Sequence, residues 1–126
     1  MLATRVALVD DDASVLMAME RLLTTVSFEI RTYSSVRDFL ASLPDGRPHC
    51  LVLDLHMPDF TGLDLQHHLV LAGIIIPTII ITSDDEPEVR ERCRSAGAVA
   101  FLLKPLSGAS LVNAITAAVG ADHQRE

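Results

Sequence analysis

Five short strand-like runs recur along this chain, and each is followed by a longer segment whose apolar residues return every three or four positions. This alternation constrains the fold more than any other feature. Continuous apolar runs suit strands buried on both faces, and the amphipathic segments between them suit helices that cover a sheet. Strands alternating with helices through short loops imply a parallel sheet with helices on both faces. Right-handed crossovers then favour an open, doubly wound α/β sheet.

The first run, Arg5–Val9, leads into three acids, Asp10, Asp11 and Asp12. A helix is expected from Ala13 to about Thr25, with Asp12 as N-cap and Val15, Met19, Leu22 and Val26 as its apolar stripe. Phe28–Tyr33 alternates Phe28, Ile30 and Thr32 with Glu29 and Arg31, the mark of an edge strand with one wet face. Ser35 and Asp38 resemble a capping box opening a helix with Val36, Phe39, Leu40 and Leu43 on one stripe, stopped by Pro44-Asp45-Gly46. Cys50–Leu53 is uninterrupted and ends at Asp54, as a central strand would. A helix follows from about Thr61 to Ala72, closed by Gly73. Thr78–Ile81 is the most β-branched stretch and ends in Thr82-Ser83. Ser83–Glu86 reads as another capping box, with Pro87 in the first turn of a helix closed by Gly97. Val99–Leu103 is the fifth strand, followed by Lys104-Pro105 and a last helix from about Ser107 to Val119. Residues 1–126 form one domain with a core from about 4 to 120, and 121–126 read as a frayed tail or the start of a linker.

Charge and composition narrow the function. A formal net charge of −7 argues against direct nucleic-acid binding, because phosphate backbones select Lys/Arg-rich faces. Cys50 and Cys93 form no metal-type pair and read as buried or half-buried free thiols, which favours a reducing compartment. The N-terminus has no signal-peptide pattern, and the longest apolar stretch, Leu69–Ile81, contains Gly73 and Pro77 and falls short of the roughly 20 residues of a membrane span. A soluble, cytoplasmic protein that does not enter membranes is expected.

The chemistry-bearing residues gather at strand ends. The first run ends in Asp10-Asp11, the third in Asp54, the fourth in Thr82, and Lys104 follows the fifth. In open parallel sheets, ligands bind beyond the carboxyl ends of the strands, where strand order reverses. If the first and third strands are neighbours there, Asp10, Asp11 and Asp54 share one crevice and repel one another unless a cation compensates. Mg²⁺ suits such an oxygen-rich site. A carboxylate beside Mg²⁺ and an ammonium is in turn a fit phosphoryl acceptor.

Together, Val9-Asp10-Asp11, Asp54-Leu55-His56-Met57-Pro58-Asp59 with Gly62, Thr82, and Lys104-Pro105 resemble the receiver domain of two-component response regulators over about residues 4 to 120. The resemblance implies a flavodoxin-like (βα)5 fold with strand order 2-1-3-4-5. It makes Asp54 the phosphoacceptor, Asp11 a direct Mg²⁺ ligand, Asp10 a ligand through water, and the backbone carbonyl of His56 a further ligand. Thr82 and Lys104 would meet the phosphoryl group, Thr82 and Phe101 would act as the switch, and the peptide before Pro105 would be cis. The implied role is a signalling switch rather than an enzyme. Its donor would be a sensor histidine kinase or a small phosphodonor. Its output surface would be the fourth helix, fifth strand and fifth helix, used by an effector, as in transcription regulation, or by a homodimer. Glu88, Arg90, Glu91, Arg92 and Arg94 give that face charges of both signs, which suits self-pairing or effector docking.

Blander readings exist for each residue. Asp10–Asp12 could only cap a helix, Thr82 could be a plain strand residue and Phe101 plain core. His67 and His68 read as solvated helix face, and His56 as a side chain at the mouth of the site. Three other functions compete. A flavin-binding flavodoxin-like domain shares the expected fold but would need a hydroxyl-rich phosphate loop where the first strand here leads into acids. Asp10-Asp11-Asp12-Ala13-Ser14 loosely matches the nucleophile motif of haloacid-dehalogenase-type aspartyl phosphatases, with Asp10 as nucleophile, but no late acidic pair stands at a suitable strand end. A degenerate receiver that only binds a partner would not need the full set of acids, Thr82 and Lys104.

Overall fold

The computed structural model describes residues 3–24, 26–58 and 60–124, with side chains as far as Gly120. Five strands alternate with five α-helices: β1 (Thr4–Val9), α1 (Ala13–Leu23), β2 (Phe28–Tyr33), α2 (Val36–Ser42), β3 (Cys50–Asp54), α3 (Gly62–Leu71), β4 (Thr78–Thr82), α4 (Pro87–Ser95), β5 (Ala98–Leu103) and α5 (Gly108–Gln124). A short 3-10 turn, Leu43–Asp45, ends the α2 segment. The strands form one parallel sheet in the order β2-β1-β3-β4-β5. This is the doubly wound, flavodoxin-like (βα)5 fold that the alternation and the resemblance imply.

Burial follows position in the sheet. Every residue of β3 and β4 is buried, and β2, on the edge, alternates as its charges require. Two cores result, one on each face of the sheet. The first holds Val36, Phe39, Leu51, Leu53, Leu65, Ile80 and Cys93 under α2, α3 and α4. The second holds Leu8, Leu16, Met19, Leu23, Cys50, Val52, Ile79, Leu111 and Ile115 under α1 and α5. Both cysteines are free and buried.

Several local expectations need correction. The buried stripe of α1 is Leu16, Met19 and Leu23, while Val15 and Val26 pack only at the margin of that core and Leu22 is half-buried. Ser83 does not cap α4. Glu86 is the N-cap and makes no side-chain bond, because Pro87 occupies the first turn and holds the residue before it extended (φ −108°, ψ 112°). The α2 box is half formed: Ser35 accepts from the Asp38 amide. The complete box lies instead at α3, where Thr61 and Asp64 cap each other. α5 runs past Gly120, which does not take the left-handed conformation seen at Gly46, Gly73 and Gly97. The tail expected at 121–126 is thus helical in backbone as far as Gln124, and the last two residues lie outside the described ones. His49, which suggested nothing in the sequence, accepts the Arg5 amide on Nδ1 just before β3 begins.

Gly62 places the α3 N-terminus against the end of β3. Its amide donates to the Leu55 carbonyl at 3.0 Å, and a Cβ there would stand 2.6 Å from the Asp54 carbonyl oxygen and 3.1 Å from Leu55 Cα. Backbone cannot give way as a flexible side chain can. Gly62→Ala is therefore expected to cost about 1–3 kcal/mol, as overpacking does, read as a lower urea midpoint at unchanged slope.

Candidate functional site

The site forms where β1 and β3 lie side by side and their chains leave the sheet to opposite faces. The register pairs Val9 with Leu53, so the next residues, Asp10 and Asp54, emerge together at the carboxyl ends. Asp10 is fully buried. Its Oδ1 accepts from the Asp12 amide at 2.9 Å, and its Oδ2 accepts from Lys104 Nζ at 3.1 Å. Lys104 Nζ also donates to Asp54 Oδ1 at 3.3 Å and so bridges the two carboxylates. Asp12 keeps the capping role, accepting from Ser14.

The electrostatics follow from this packing. Burial pushes the Asp10 carboxyl above the ordinary carboxylate value, against the pull of its bonds to Asp12 and Lys104. Asp54 is also pushed up, first by burial and then by the neighbouring Asp10. For Lys104 burial works against the charge, but Asp10 and Asp54 outweigh it and hold the ammonium above its ordinary value. One ammonium thus faces two buried carboxylates, and the exposed Asp11 stands beside them.

Asp10, Asp11 and Asp54 can each offer a carboxylate oxygen within 4.8 Å of the others. An all-oxygen set with a surplus of negative charge fits a hard divalent cation such as Mg²⁺ and offers nothing to a soft one. His56 lies two residues beyond Asp54. Its ring is exposed and points across the mouth, with Nε2 3.5 Å from an Asp84 carboxylate oxygen.

The structure gathers Asp10, Asp11, Asp54 and Lys104 directly. Thr82 closes the fourth side: it is fully buried, and its carbonyl accepts the Lys104 amide at 2.8 Å. Its hydroxyl oxygen accepts the Asp84 amide at 3.2 Å, and among the described residues it makes no bond to Asp54 or Lys104. Phe101 sits apart from the acids, half-buried on β5 beneath α4. Asp59, part of the motif after Asp54, lies outside the described residues. His67 and His68 are exposed, as a solvated face requires. The Lys104-Pro105 peptide is cis.

Two features escaped the sequence. One is the double duty of Lys104 toward Asp10 and Asp54, which needs the three-dimensional register. The other is a cleft of about 650 Å³ beside Asp11, walled by Ser35, Arg37, Leu40, Met57 and Phe60. Its residues come from the loops after β1, β2 and β3 and from α2.

Comparison with known proteins agrees with this geometry. The family model described as "Response regulator receiver domain" matches residues 6–116. Nodulation protein W of Bradyrhizobium diazoefficiens is 36% identical over 120 residues, covering 95% of this chain and 53% of that protein. Transcriptional regulatory protein FixJ of Rhizobium meliloti is 36% identical over 110 residues, covering 87% of this chain and 54% of that protein. The chain thus spans about half the length of these curated relatives. Among solved structures, FixJ-N superposes with a TM-score of 0.87 at 35% identity, over 95% of this chain and 96% of that one. The response regulator StyR superposes with a TM-score of 0.86 at 33% identity, over 98% of this chain and 63% of that one. Receiver domains are phosphoacceptor modules of two-component signalling that generally bind Mg²⁺ in an acidic pocket and take their phosphoryl group from sensor histidine kinases. No helix among the described residues is long and apolar enough to cross a membrane. With the family model matching residues 6–116, the greater part of the chain, the protein belongs to the response regulator receiver domain family.

Proposed function

We propose that Asp54 accepts a phosphoryl group from a sensor histidine kinase or a small phosphodonor, and that the modified domain alters its α4-β5-α5 surface to control an output. The observation that carries this reading is the Lys104 bridge. It orients the Asp54 carboxylate at the end of a fully buried strand and leaves negative charge for a cation to balance. A carboxylate oxygen of Asp54 attacks phosphorus in line, forming a P–O bond while the P–N bond to the donor imidazole breaks. Lys104 stabilises charge on the transferring oxygens, and the Thr82 hydroxyl donates a hydrogen bond to one of them after its side chain turns toward Asp54. Asp11, Asp54 and the His56 carbonyl would hold Mg²⁺ directly, and Asp10 through water. When bound, this ion neutralises charge on the phosphoryl oxygens. The cleft beside Asp11, with the half-exposed Phe60 on its wall, gives the donor protein an apolar place to rest.

Turning Thr82 inward vacates space behind it, and Phe101 is placed to fill that space. Phe101 pairs with Ile80 in the ladder, on the same face as Thr82. The reshaped face serves an effector or a second copy, and β5, an edge strand with Val99 and Leu103 exposed, supports the pairing of two copies there. The domain acts in the cytoplasm, and this chain makes no direct contact with nucleic acid.

The test is incubation with acetyl phosphate and Mg²⁺ followed by peptide mapping of the acyl phosphate. One phosphoryl group on the peptide holding Asp54 is expected. A label on Asp10 would overturn the assignment and favour the phosphatase reading. A second prediction concerns the cation: Asp11→Ala should lose most Mg²⁺ affinity, because a weakly held hard ion has few protein ligands to spare. An unchanged Mg²⁺ titration would reduce Asp11 to surface charge.

A further inference from the structure

Phe101 is incompletely covered by the core. It lies on the edge strand, packs against the buried cluster under α4, and leaves part of its ring toward solvent. The Arg90 guanidinium lies over this half-buried ring, with Cζ 5.1 Å from the ring centroid. Arg90 in turn donates to a carboxylate oxygen of Asp85, on the loop between β4 and α4. The same loop carries Asp84, whose amide holds the Thr82 hydroxyl. A chain of contacts therefore runs from Thr82 through this loop and Arg90 to Phe101. It keeps both expected switch residues in one arrangement, with the hydroxyl turned to the loop and the ring held under a cation.

We infer that Asp85 and Arg90 form a latch that holds the Phe101 ring outward and so lowers the fraction of molecules ready to receive a phosphoryl group. The inference rests on the reading of Asp54 as acceptor and of Thr82 and Phe101 as switch. A ring that moves inward leaves the guanidinium behind, so the cation–π contact exists only in the outward state. The Asp85–Arg90 ion pair is exposed and contributes little by itself; its part is to fix where the cation stands. A contact made in one state alone biases the equilibrium by its full strength. Arg90 is thus a positioning residue that acts through Phe101 and touches neither the acids nor the phosphoryl group.

The experiment uses beryllofluoride, which mimics the phosphoryl group on Asp54, titrated into protein saturated with Mg²⁺, with the ¹³C-labelled Phe101 ring as a second readout. A ligand that selects a minor state gains affinity in proportion to that state's population. Losing a partly exposed cation–π contact then predicts that Arg90→Gln binds beryllofluoride about two- to fivefold more tightly. Its free-state ring signal should also move toward the bound position. Arg90→Lys, which keeps the cation, should stay near wild type. In a Phe101→Leu background, Arg90→Gln should change nothing. Unchanged or weaker affinity for Arg90→Gln, or the same gain in the Phe101→Leu background, overturns the latch. A wild-type protein that takes up no beryllofluoride, or takes it up with the ring unmoved, overturns the underlying reading of Asp54 and Phe101, and the latch with it.

Discussion

Asp54→Asn should take up no phosphoryl group from acetyl phosphate, and without Mg²⁺ it should melt at a higher temperature than wild type at neutral pH. The first effect is all-or-none, because the amide is a poor nucleophile and Asp10, the other acid beside Lys104, is fully buried with both carboxylate oxygens already accepting hydrogen bonds. The second follows from the energetics of burial. Asp54 has its pKa raised above the ordinary 3.8 by burial and by Asp10. The folded state therefore holds this proton more tightly than the unfolded state does. The corresponding stability is fully present below pH 3.8 and is lost as pH rises through the folded-state pKa, so the ionised carboxylate is a net cost at neutrality. Asparagine removes that cost. The gap between mutant and wild type should be small in acid and widen as pH rises, measured by thermal unfolding in a chelator. Undiminished labelling of the mutant, or a melting temperature below wild type across the series, would refute the placement of Asp54 at the centre of the repulsion.

Lys104→Met should be the most damaging of the site substitutions to the metal-free fold. Removing one partner of a buried charged cluster leaves the others uncompensated, and Asp10 is fully buried while Lys104 exposes about a quarter of its side chain (23%). A loss of roughly 3 kcal/mol is expected at pH 7, the lower end for breaking a buried pair. Lys104 has a raised pKa, so its contribution is complete below the ordinary 10.5 and fades only as pH rises through the higher folded value. At neutral pH the deficit is therefore fully expressed. It should shrink in acid, where Asp10 and Asp54 take up protons and need no counter-charge. Saturating Mg²⁺ should also shrink it, by supplying the missing positive charge. Urea midpoints with chelator and with Mg²⁺ measure both effects, and a mutant as stable as wild type in chelator would show that the bridge contributes nothing.

The strands and the acids were legible in the sequence for physical reasons. A central strand buried on both faces has nowhere to put a polar side chain until it leaves the sheet, so Asp54 after Cys50–Leu53 marks both the strand end and the site. The same holds for Val9 followed by Asp10. Helix detail was less legible. α1 carries consecutive apolar residues at Val15-Leu16 and Leu22-Leu23, so two overlapping stripes satisfy the helical period, and only packing against the sheet and α5 selects Leu16, Met19 and Leu23. At α4 two signals conflicted: a capping-box pattern at Ser83, and Pro87, which holds Glu86 extended and starts the helix later. Thr61–Asp64 carries the same hydroxyl-to-aspartate spacing as Ser35–Asp38, and only the folded backbone shows that the first closes fully while the second is half formed. The Arg90 cover on Phe101 spans a helix and a strand and depends on how α4 settles across β5, which no local pattern encodes.

The two cores on opposite faces of the sheet give the molecule a pair of native chemical clocks. Cys50 lies in the layer beneath α1 and α5, and Cys93 in the layer beneath α2, α3 and α4. Both thiols have zero exposure, and burial pushes Cys50 up to about 12 and raises Cys93 as well. Neither can meet an alkylating reagent as a thiolate while its layer is closed. The rate at which each sulfur is captured therefore counts the openings of its own layer. One unmodified protein thus reports, at two separately identifiable peptides, which face of the sheet loosens first.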